Sequence, residues 1–395
     1  MPGLQEAARR YVERNPESKR LHDERARVMP GGNTRSVLHV EPFPLTIVRA
    51  EGARIYDADG HEYLDFLGEF TAGLYGHSHP VILEAIREAL ANGIALGAPN
   101  RYEASLAEAV CARFPSIDLL RFCNSGTEAN VMAISLARAV TGRSKIVVFD
   151  NGYHGGVLYF RHGGSPLNYP VPFVIAAYND VASADLVDED TAAVLVEPLQ
   201  GSGGVIPGDP AFLQALRDAT QERGALLIFD EVMTSRLAWG GLQEVLGITP
   251  DLTTLGKYIG GGLASGAFGG RRDLMERFDP ARPDALPHAG TFNNAVLTMA
   301  AGAAGLTKVL TRAEIERLNA LGDRLRARLP DDAHATGYGS MVGLHVEDEE
   351  RAALVHLGML EHGYSYARRG FVALSLPLTQ EDVDGFADAL AAQLS

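Results

Sequence analysis

Short, almost wholly apolar runs alternate with amphipathic stretches through the middle of the chain. Residues 145–149, 193–196 and 225–229 are such runs, and residues 212–220 between the last two repeat apolar side chains at helical spacing. A strand that is apolar on both faces is buried on both faces, which is typical of a parallel sheet covered by helices. The pattern therefore predicts an α/β fold with a mostly parallel sheet.

The two ends of the chain differ from this middle part. Residues 1 to about 28 are charged and helix-prone, and residues 47–60 predict a β-hairpin with an Asp-Gly turn. The chain becomes helical again from about 296 and closes with strand-like segments at 341–345 and 371–375. We therefore predict a large domain and a smaller α+β domain built from both ends, with these boundaries: 61–295 for the large domain, and 1–60 with 296–395 for the small one.

Composition excludes several classes of protein. The 395 residues carry a formal charge of −15 without a basic stripe, which argues against nucleic-acid binding. No apolar stretch reaches the length of a membrane span, and the polar N-terminus lacks a signal core, so we expect no membrane association and a cytoplasmic protein. Two cysteines are too few for a disulfide framework.

Lys257 and Asp230 are the residues that point most directly to chemistry. An apolar approach ends at Lys257 and a glycine cluster follows it, while Asp230 ends the apolar run 225–229. A lysine amine can form a Schiff base with an aldehyde cofactor, and an aspartate can keep the pyridine nitrogen of that cofactor protonated. The pair indicates pyridoxal 5′-phosphate (PLP), although a surface lysine and a helix-capping aspartate are the ordinary alternative.

A candidate phosphate site lies at residues 124–130. Ser125, Gly126 and Thr127 follow a short β run and open a helix, where free backbone N–H groups and the positive helix end favour an anion. Simple N-capping by Ser125 or Thr127 is the alternative, and it is compatible with phosphate binding because both roles use the same helix end.

Three further positions suit a cofactor. Tyr153, on a glycine-flanked turn, can place its ring flat on a heteroaromatic cofactor, although a packed turn tyrosine is the simpler interpretation. Glu197 follows another strand at the edge where ligands bind in such sheets. Thr291, in a polar loop, can supply one more hydrogen bond to a phosphate.

Taken in order, these motifs resemble the class III aminotransferases of PLP fold type I over nearly the whole chain. The motifs lie at 125–128, 153–155, 230–232, 257 and 290–292. The resemblance implies a large domain with a seven-stranded, mostly parallel sheet and a homodimer with shared active sites. It also implies that Lys257 binds the cofactor covalently and that Asp230 pairs with the pyridine nitrogen. The remaining cofactor-binding residues that it implies are Ser125, Gly126 and Thr127 at the phosphate, Val232 and Tyr153 on the two ring faces, His154, Glu197, and Thr291 from the neighbouring subunit.

Two arginines bear on the substrate. Arg35 lies in a glycine-rich turn and Arg369 precedes a strand, and a guanidinium group grips a carboxylate in a fork. Most arginines are instead solvated or paired at the surface, which suits Arg368. Segments 31–39, 70–80 and 369–377 resemble bacterial β-amino-acid aminotransferases active on β-phenylalanine. That resemblance implies that Arg35 binds the donor carboxylate, and that Arg369 binds the carboxylate of the α-keto acceptor and swings aside otherwise.

The implied reaction is ping-pong transamination from a β-amino acid to an α-keto acid, with these small molecules as partners. Tyr366 and Arg368 depart from the pattern of that group, and the single tryptophan, Trp239, follows the Asp230 strand, so the side chain of the donor stays open. The nearest alternative is an aminomutase like glutamate-1-semialdehyde aminomutase, which shares the Pro-Gly-Gly start and needs no separate acceptor.

Other classes fit the sequence less well. A non-catalytic binding protein has no need of Lys257 and Asp230, and residues 260–262 lack the strand–Gly-x-Gly-x-x-Gly–helix pattern of nucleotide-binding oxidoreductases. We expect no metal site, because the loop histidines have no acidic or cysteine partners at ligand spacing; these histidines are His77, His79, His154 and His162.

Overall fold

The computed structural model describes residues 3–395. Its helices are α1 (Leu4–Arg14), α2 (Pro16–Ala26), α3 (Pro80–Ala91), α4 (Arg101–Cys111), α5 (Gly126–Thr141), α6 (Pro210–Arg223), α7 (Leu242–Leu246), α8 (Arg272–Met275), α9 (Val296–Ala304), α10 (Arg312–Arg328), α11 (Glu349–Glu361) and α12 (Gln380–Leu394). Its strands are β1 (Ile47–Glu51), β2 (Arg54–Asp57), β3 (Glu62–Asp65), β4 (Leu119–Cys123), β5 (Lys145–Phe149), β6 (Phe173–Ala176), β7 (Thr191–Val196), β8 (Leu199–Gln200), β9 (Ile206–Pro207), β10 (Leu226–Asp230), β11 (Leu252–Gly256), β12 (Gly266–Gly270), β13 (Thr336–Tyr338), β14 (Met341–Gly343), β15 (Tyr364–Ser365) and β16 (Phe371–Ala373).

The chain forms two compact units. The small unit contains residues 3–70, Gly76–Ser78 and Ala320–Ser395, and the large unit contains Thr71–Tyr75 and His79–Asn319. These limits differ from the boundaries at 60 and 295 that the sequence suggested. The physical reason at the C-terminal side is that α9 packs on α3 and α4, so the return to helix at 296 still belongs to the large unit.

The large unit is built on a seven-stranded sheet with the order β4-β12-β11-β10-β7-β5-β6. The five strands from β11 to β6 are parallel to their neighbours, whereas β12 is antiparallel to both β11 and β4. This confirms the predicted α/β fold with a mostly parallel sheet of seven strands.

Both faces of this sheet are covered, as apolar runs without polar alternation require. The residues that pack with α5 are Ile146, Val148, Ala193, Leu195, Leu226 and Ile228. Those that pack with α6 are Val147, Phe149, Val194, Val196, Leu227 and Phe229. Because side chains alternate between faces, each central strand contributes to two cores.

The small unit joins the two ends of the chain. Its four-stranded sheet has the order β1-β2-β3-β15, in which β15 pairs in parallel with β3, and a second sheet has the order β13-β14-β16. Tyr11 of α1 and Tyr63 of β3 are buried in one cluster with Leu357 and Leu360 of α11. This shared core is what requires both ends of the chain in one unit.

One detail of the predicted hairpin is wrong. The antiparallel pair of β1 and β2 turns at Gly52, whereas the Asp-Gly turn at Gly60 connects β2 to β3. Both glycines have positive φ, 58° and 90°, which is the conformation that tight turns between strands need. Residues 47–65 therefore form a three-stranded meander.

Candidate active site

The predicted cofactor residues of the large unit gather at one edge of its sheet. Tyr153 and His154 follow β5, Glu197 follows β7, Asp230 ends β10 and Lys257 follows β11. These four strands are adjacent and parallel, so their carboxyl ends lie at the same edge. Ligands of open α/β sheets bind at that edge.

Asp230 is buried, with 4% of its surface exposed, and its carboxylate is held on both oxygens. Oδ1 accepts a hydrogen bond from the backbone N–H of Val232 at 3.0 Å. Oδ2 accepts from Asn130 Nδ2 at 2.8 Å and lies 2.7 Å from His154 Nδ1. A buried carboxylate needs such partners, and they fix its orientation at the sheet edge.

Sequence reasoning missed two members of this network. Asn130 lies one turn into α5 and donates from Nδ2 also to the carbonyl oxygen of His154, at 3.0 Å. Thr254 Oγ1 in β11 donates to Asn130 Oδ1 at 2.7 Å. The available signal was an asparagine on an otherwise small and apolar helix face, between Ala129 and Ala133.

Lys257 is half-buried and has a left-handed backbone, with φ of 59°. Residues with a side chain rarely adopt this conformation, and when they do they are often at functional sites. Gly256, just before it, lies close to two other site residues. A Cβ on Gly256 would lie 3.3 Å from Val232 Cγ1 and 3.4 Å from the backbone nitrogen of Gly126. The chain therefore reaches Lys257 directly beside Val232 and the start of α5.

The start of α5 forms a compact cradle. Ser125 caps the helix, with its hydroxyl accepting from the backbone N–H of Glu128 at 3.1 Å. The Thr127 hydroxyl accepts from the backbone N–H of Gly156 at 3.3 Å, and a Cβ on Gly155 would overlap this hydroxyl. The close approach of two loops brings backbone N–H groups and hydroxyls together at a helix N-terminus, a favourable place for an anion.

Glu197 is a second buried carboxyl group beside Asp230. Its Oε1 accepts from the backbone N–H of Tyr153 at 3.0 Å, and its Oε2 accepts from that of Gly201 at 2.9 Å. Burial raises the pKa of Glu197 to about 7, and the negative charge of Asp230 acts in the same direction. The two backbone hydrogen bonds oppose this shift. Glu197 therefore connects the turn at Tyr153 to the loop after β8.

Tyr153 and Thr291 are both exposed on this chain. The Tyr153 ring is 40% exposed and lies edge-on to the ring of Tyr159, with centroids 5.8 Å apart. Thr291 lies in the loop after Gly290, and its neighbour Phe292 is 67% exposed. The ring position predicted for Tyr153 and the role of Thr291 toward a neighbouring subunit stay predictions.

The two predicted substrate arginines lie in the small unit and contact the same aromatic ring. The guanidinium carbon of Arg35 is 5.8 Å from the centroid of Phe70, and that of Arg369 is 5.4 Å from it. Phe70 is buried and stacks on Phe371 with centroids 5.7 Å apart. Arg35 also forms an ion pair with Glu69, with Nη1 and Oε1 2.7 Å apart.

Arg368 is less exposed than its neighbour Arg369. It is half-buried, whereas Arg369 is exposed, because Tyr366 and Ala367 next to Arg368 are buried in the small unit. Arg368 lines a cavity of about 550 Å³ together with His356, whose ring is 6% exposed. Burial, and then the charge of Arg368, lower the pKa of His356 to about 4.

Residues 3–395 contain neither a candidate metal site nor a candidate membrane span. No group of three or more His, Cys, Asp or Glu side chains in that range is placed to hold a metal ion. No helix in the same range is both long and apolar enough to cross a membrane. His77, one of the loop histidines, instead pairs with Asp65, with Nε2 and Oδ2 2.9 Å apart.

Comparison with known proteins identifies the family. The model of the class III aminotransferases matches residues 36–160 and 173–392. The chain belongs to the class III aminotransferase family. The β-phenylalanine transaminase of Variovorax paradoxus is 51% identical to it, over 98% of this chain and 94% of that enzyme. A solved β-phenylalanine aminotransferase from the same organism is 50% identical and has a TM-score of 0.95, over 98% of this chain and 96% of that one.

Two further proteins are less similar to this chain. A solved transaminase with PLP bound is 32% identical, with a TM-score of 0.91 over 96% of this chain and 97% of that one. Glutamate-1-semialdehyde 2,1-aminomutase 2 of Brevibacillus brevis is 39% identical over 93% of this chain and 95% of that enzyme. The enzyme described here is thus an aminotransferase of PLP fold type I, and PLP is its cofactor.

The residues of this class III aminotransferase fit PLP. The start of α5 offers N–H groups and hydroxyls to a phosphate, and Asp230 offers a buried carboxylate to a pyridine nitrogen. Gly126 leaves room beside Val232, since a Cβ there would lie 2.9 Å from Val232 Cγ2. Lys257 supplies the amine that an aldehyde requires.

Proposed function

We propose that this aminotransferase moves the amino group of a β-amino acid, with an aromatic side chain as in β-phenylalanine, to an α-keto acid. The observation that carries the proposal is the placement of Lys257 and the buried Asp230 after adjacent parallel strands, beside the start of α5. The V. paradoxus relative, a β-phenylalanine transaminase, supports an aromatic β-amino acid as the donor.

Lys257 is the proposed acid–base group of the reaction. When bound, PLP supplies an electron sink that makes the proton on the amine-bearing carbon of the donor acidic. Lys257 Nζ would take up this proton and return it in the next step. The left-handed backbone at Lys257, with φ of 59°, is the kind of strained conformation that occurs at functional sites.

Asp230 is proposed to accept a hydrogen bond from the protonated pyridine nitrogen. Asn130 and His154 on Oδ2, and the backbone of Val232 on Oδ1, hold the carboxylate in place for this role. Such prearranged partners avoid reorganisation when the cofactor's charge changes. The proposed phosphate ligands are Ser125, Gly126 and Thr127, with Val232 and Tyr153 proposed at the ring faces and His154 and Glu197 around them.

Arg35 and Arg369 are the proposed carboxylate-binding residues. Arg35 would bind the carboxylate of the β-amino acid, and Arg369 that of the α-keto acid, since a ping-pong reaction binds the two acids in turn. Support comes from the placement of both guanidinium groups around Phe70, which puts their central carbons less than 12 Å apart, because each is within 5.8 Å of the ring centroid.

A homodimer with shared active sites is also part of the proposal. Thr291 would complete the phosphate site of a second copy, which its exposed position in this chain permits. Sedimentation velocity of the PLP-loaded enzyme measures the assembly state. A monomer at micromolar concentration with full activity would contradict this part of the proposal.

The test of the function is a half-reaction. The PLP-loaded enzyme is mixed with β-phenylalanine without an acceptor, and the visible absorbance of the cofactor is followed. We expect the band to disappear and to return when an α-keto acid is added, because the amino group passes through the enzyme. Lys257→Ala serves as the control and should show neither change.

Two outcomes would redirect the proposal. The first outcome is a cofactor absorbance band that does not change with β-amino acids but changes with an amino-aldehyde in the absence of a keto acid. This result favours the aminomutase reaction, for which the B. brevis relative is the precedent. A band that responds only to α-amino acids would contradict the substrate class and leave the aminotransferase assignment intact.

A further inference from the structure

Arg35 has a carboxylate partner within its own chain. Glu69 Oε1 lies 2.7 Å from Arg35 Nη1, and both side chains are about half exposed, at 53% and 44%. The guanidinium group that is proposed to bind the donor carboxylate therefore already holds one. A carboxylic acid that arrives from solution must replace Glu69 or share the guanidinium group with it.

The backbone that presents Glu69 is strained and rigidly held. Glu69 and Phe70 have φ values of 44° and 52°, which residues with a side chain rarely adopt. Asp65 Oδ1 accepts from the backbone N–H groups of Leu67 at 2.8 Å and Gly68 at 3.1 Å, which fixes the turn. Consecutive strained residues persist where the surrounding structure holds them, and they cluster at functional sites.

The same turn gives Arg35 a second fixed contact. Phe70 is 7% exposed and stacks on Phe371, so its ring is a stable surface for the guanidinium group. Glu69 and Phe70 also line the cavity of about 550 Å³ in the small unit, together with the neighbours of Arg35, Asn33 and Thr34. A displaced Glu69 side chain has open space beside it.

We propose that Glu69 is a specificity-determining residue, an internal counter-ion of Arg35 that the donor carboxylate displaces. This inference rests on the proposed function, in which Arg35 binds the donor. Glu69 lowers the affinity of Arg35 for carboxylates and so acts on the donor half-reaction alone. The acceptor half-reaction, assigned to Arg369, is not subject to this competition.

The test compares the wild-type PLP-loaded enzyme with Glu69→Gln, which keeps the size of the side chain and removes its charge. We expect the KM for β-phenylalanine to fall roughly fivefold, the range set by exposed ion pairs. The kcat and the KM for the α-keto acid should stay the same. Glu51→Gln is the matched control, since Glu51 forms an exposed pair with Arg49 at 2.9 Å in the same unit.

A binding measurement removes the dependence on turnover. Calorimetry with 3-phenylpropanoate, which has the carboxylate of the donor but no amine, should give a roughly fivefold lower Kd for Glu69→Gln than for the wild type. Added salt should reduce the difference, because screening weakens exposed ion pairs.

Four outcomes separate the hypotheses. An unchanged or higher donor KM in Glu69→Gln overturns the inference, and so does an equal change in the donor and acceptor KM. If Arg35→Gln raises the donor KM while Glu69→Gln has no effect, the inference fails but the proposed function stands. If the wild-type enzyme does not react with β-amino acids at all, the proposed function itself has failed.

Discussion

Replacement of Glu197 by glutamine should change how the stability of the large unit depends on pH. Glu197 is 5% exposed, and burial raises its pKa to about 7 from an ordinary value of 4.5. The unfolded chain therefore releases this proton at a lower pH than the folded protein does. The contribution of Glu197 to stability is full below pH 4.5 and is lost as the pH rises to about 7.

The size of the effect follows from the pKa difference. One pKa unit corresponds to about 1.4 kcal/mol, so the whole shift amounts to about 3 kcal/mol, most of which falls between pH 5 and pH 8. Glutamine cannot ionise, so the variant does not lose this contribution to stability as the pH rises. Its amide N–H faces one of the N–H groups of Tyr153 and Gly201, which costs stability, but this cost does not depend on pH.

The assay is urea unfolding of the cofactor-free protein at pH 5 and pH 8, at one protein concentration. Trp239, the single tryptophan, lies half-buried in the large unit and reports its unfolding by fluorescence. From pH 5 to pH 8, the unfolding free energy of Glu197→Gln should rise by about 2–3 kcal/mol relative to that of the wild type. Glu222→Gln, at an exposed position of α6, is the control and should gain nothing. Parallel pH profiles for the wild type and Glu197→Gln would refute the reasoning.

Three further predictions follow from single contacts. Asn130→Ala removes a donor to the Asp230 carboxylate, so PLP should bind about tenfold more weakly when cofactor-free protein is titrated; unchanged binding would contradict this. Gly322→Ala should destabilise the protein by about 1–3 kcal/mol in thermal or urea unfolding, although alanine usually stabilises a helix, because the added Cβ would overlap the carbonyl oxygen of Gly339. The pKa of His356 is lowered to about 4, so its contribution to stability is full above pH 6.5 and is lost as the pH falls toward 4. The His356→Gln variant should therefore lack about 2 kcal/mol of acid sensitivity, measured as the difference between unfolding free energies at pH 7 and pH 4.5.

The fold could be predicted from the sequence because its signals are local. Each signal is contained in a short segment: the apolar runs are β5, β7 and β10, and the amphipathic repeat is α6. The alternation of such segments predicts a parallel sheet. The boundaries of the units could not be predicted in the same way. The assignment of α9 to the large unit depends on its packing against α3 and α4, which are distant in sequence.

The same distinction holds for the candidate site, where residues with a local sequence signal could be predicted and residues defined by distant contacts could not. Asp230 and Lys257 stand out because each follows a recognisable strand. The partner of Asp230, Asn130, lies 100 residues away, and only the pairing of β10 and β11 brings Thr254 to the same network. Likewise, the sequence does not distinguish Arg368 from Arg369, because the burial of their neighbours decides which of them faces solvent.

The parallel pairing of β3 with β15 has a consequence for synthesis of the protein. Leu64 and Phe66 donate their backbone N–H groups to the carbonyl oxygens of Gly363 and Ser365, at 2.8 and 2.7 Å, so this edge of β3 stays unpaired until residues 363–365 have been synthesised. The large unit lies between these two strands in the sequence, so it leaves the ribosome after β3 and before β15. Until then the nascent chain carries an open strand edge, the kind of surface on which chains associate wrongly. Conditions that slow translation between β3 and β15 should therefore increase aggregation of this protein.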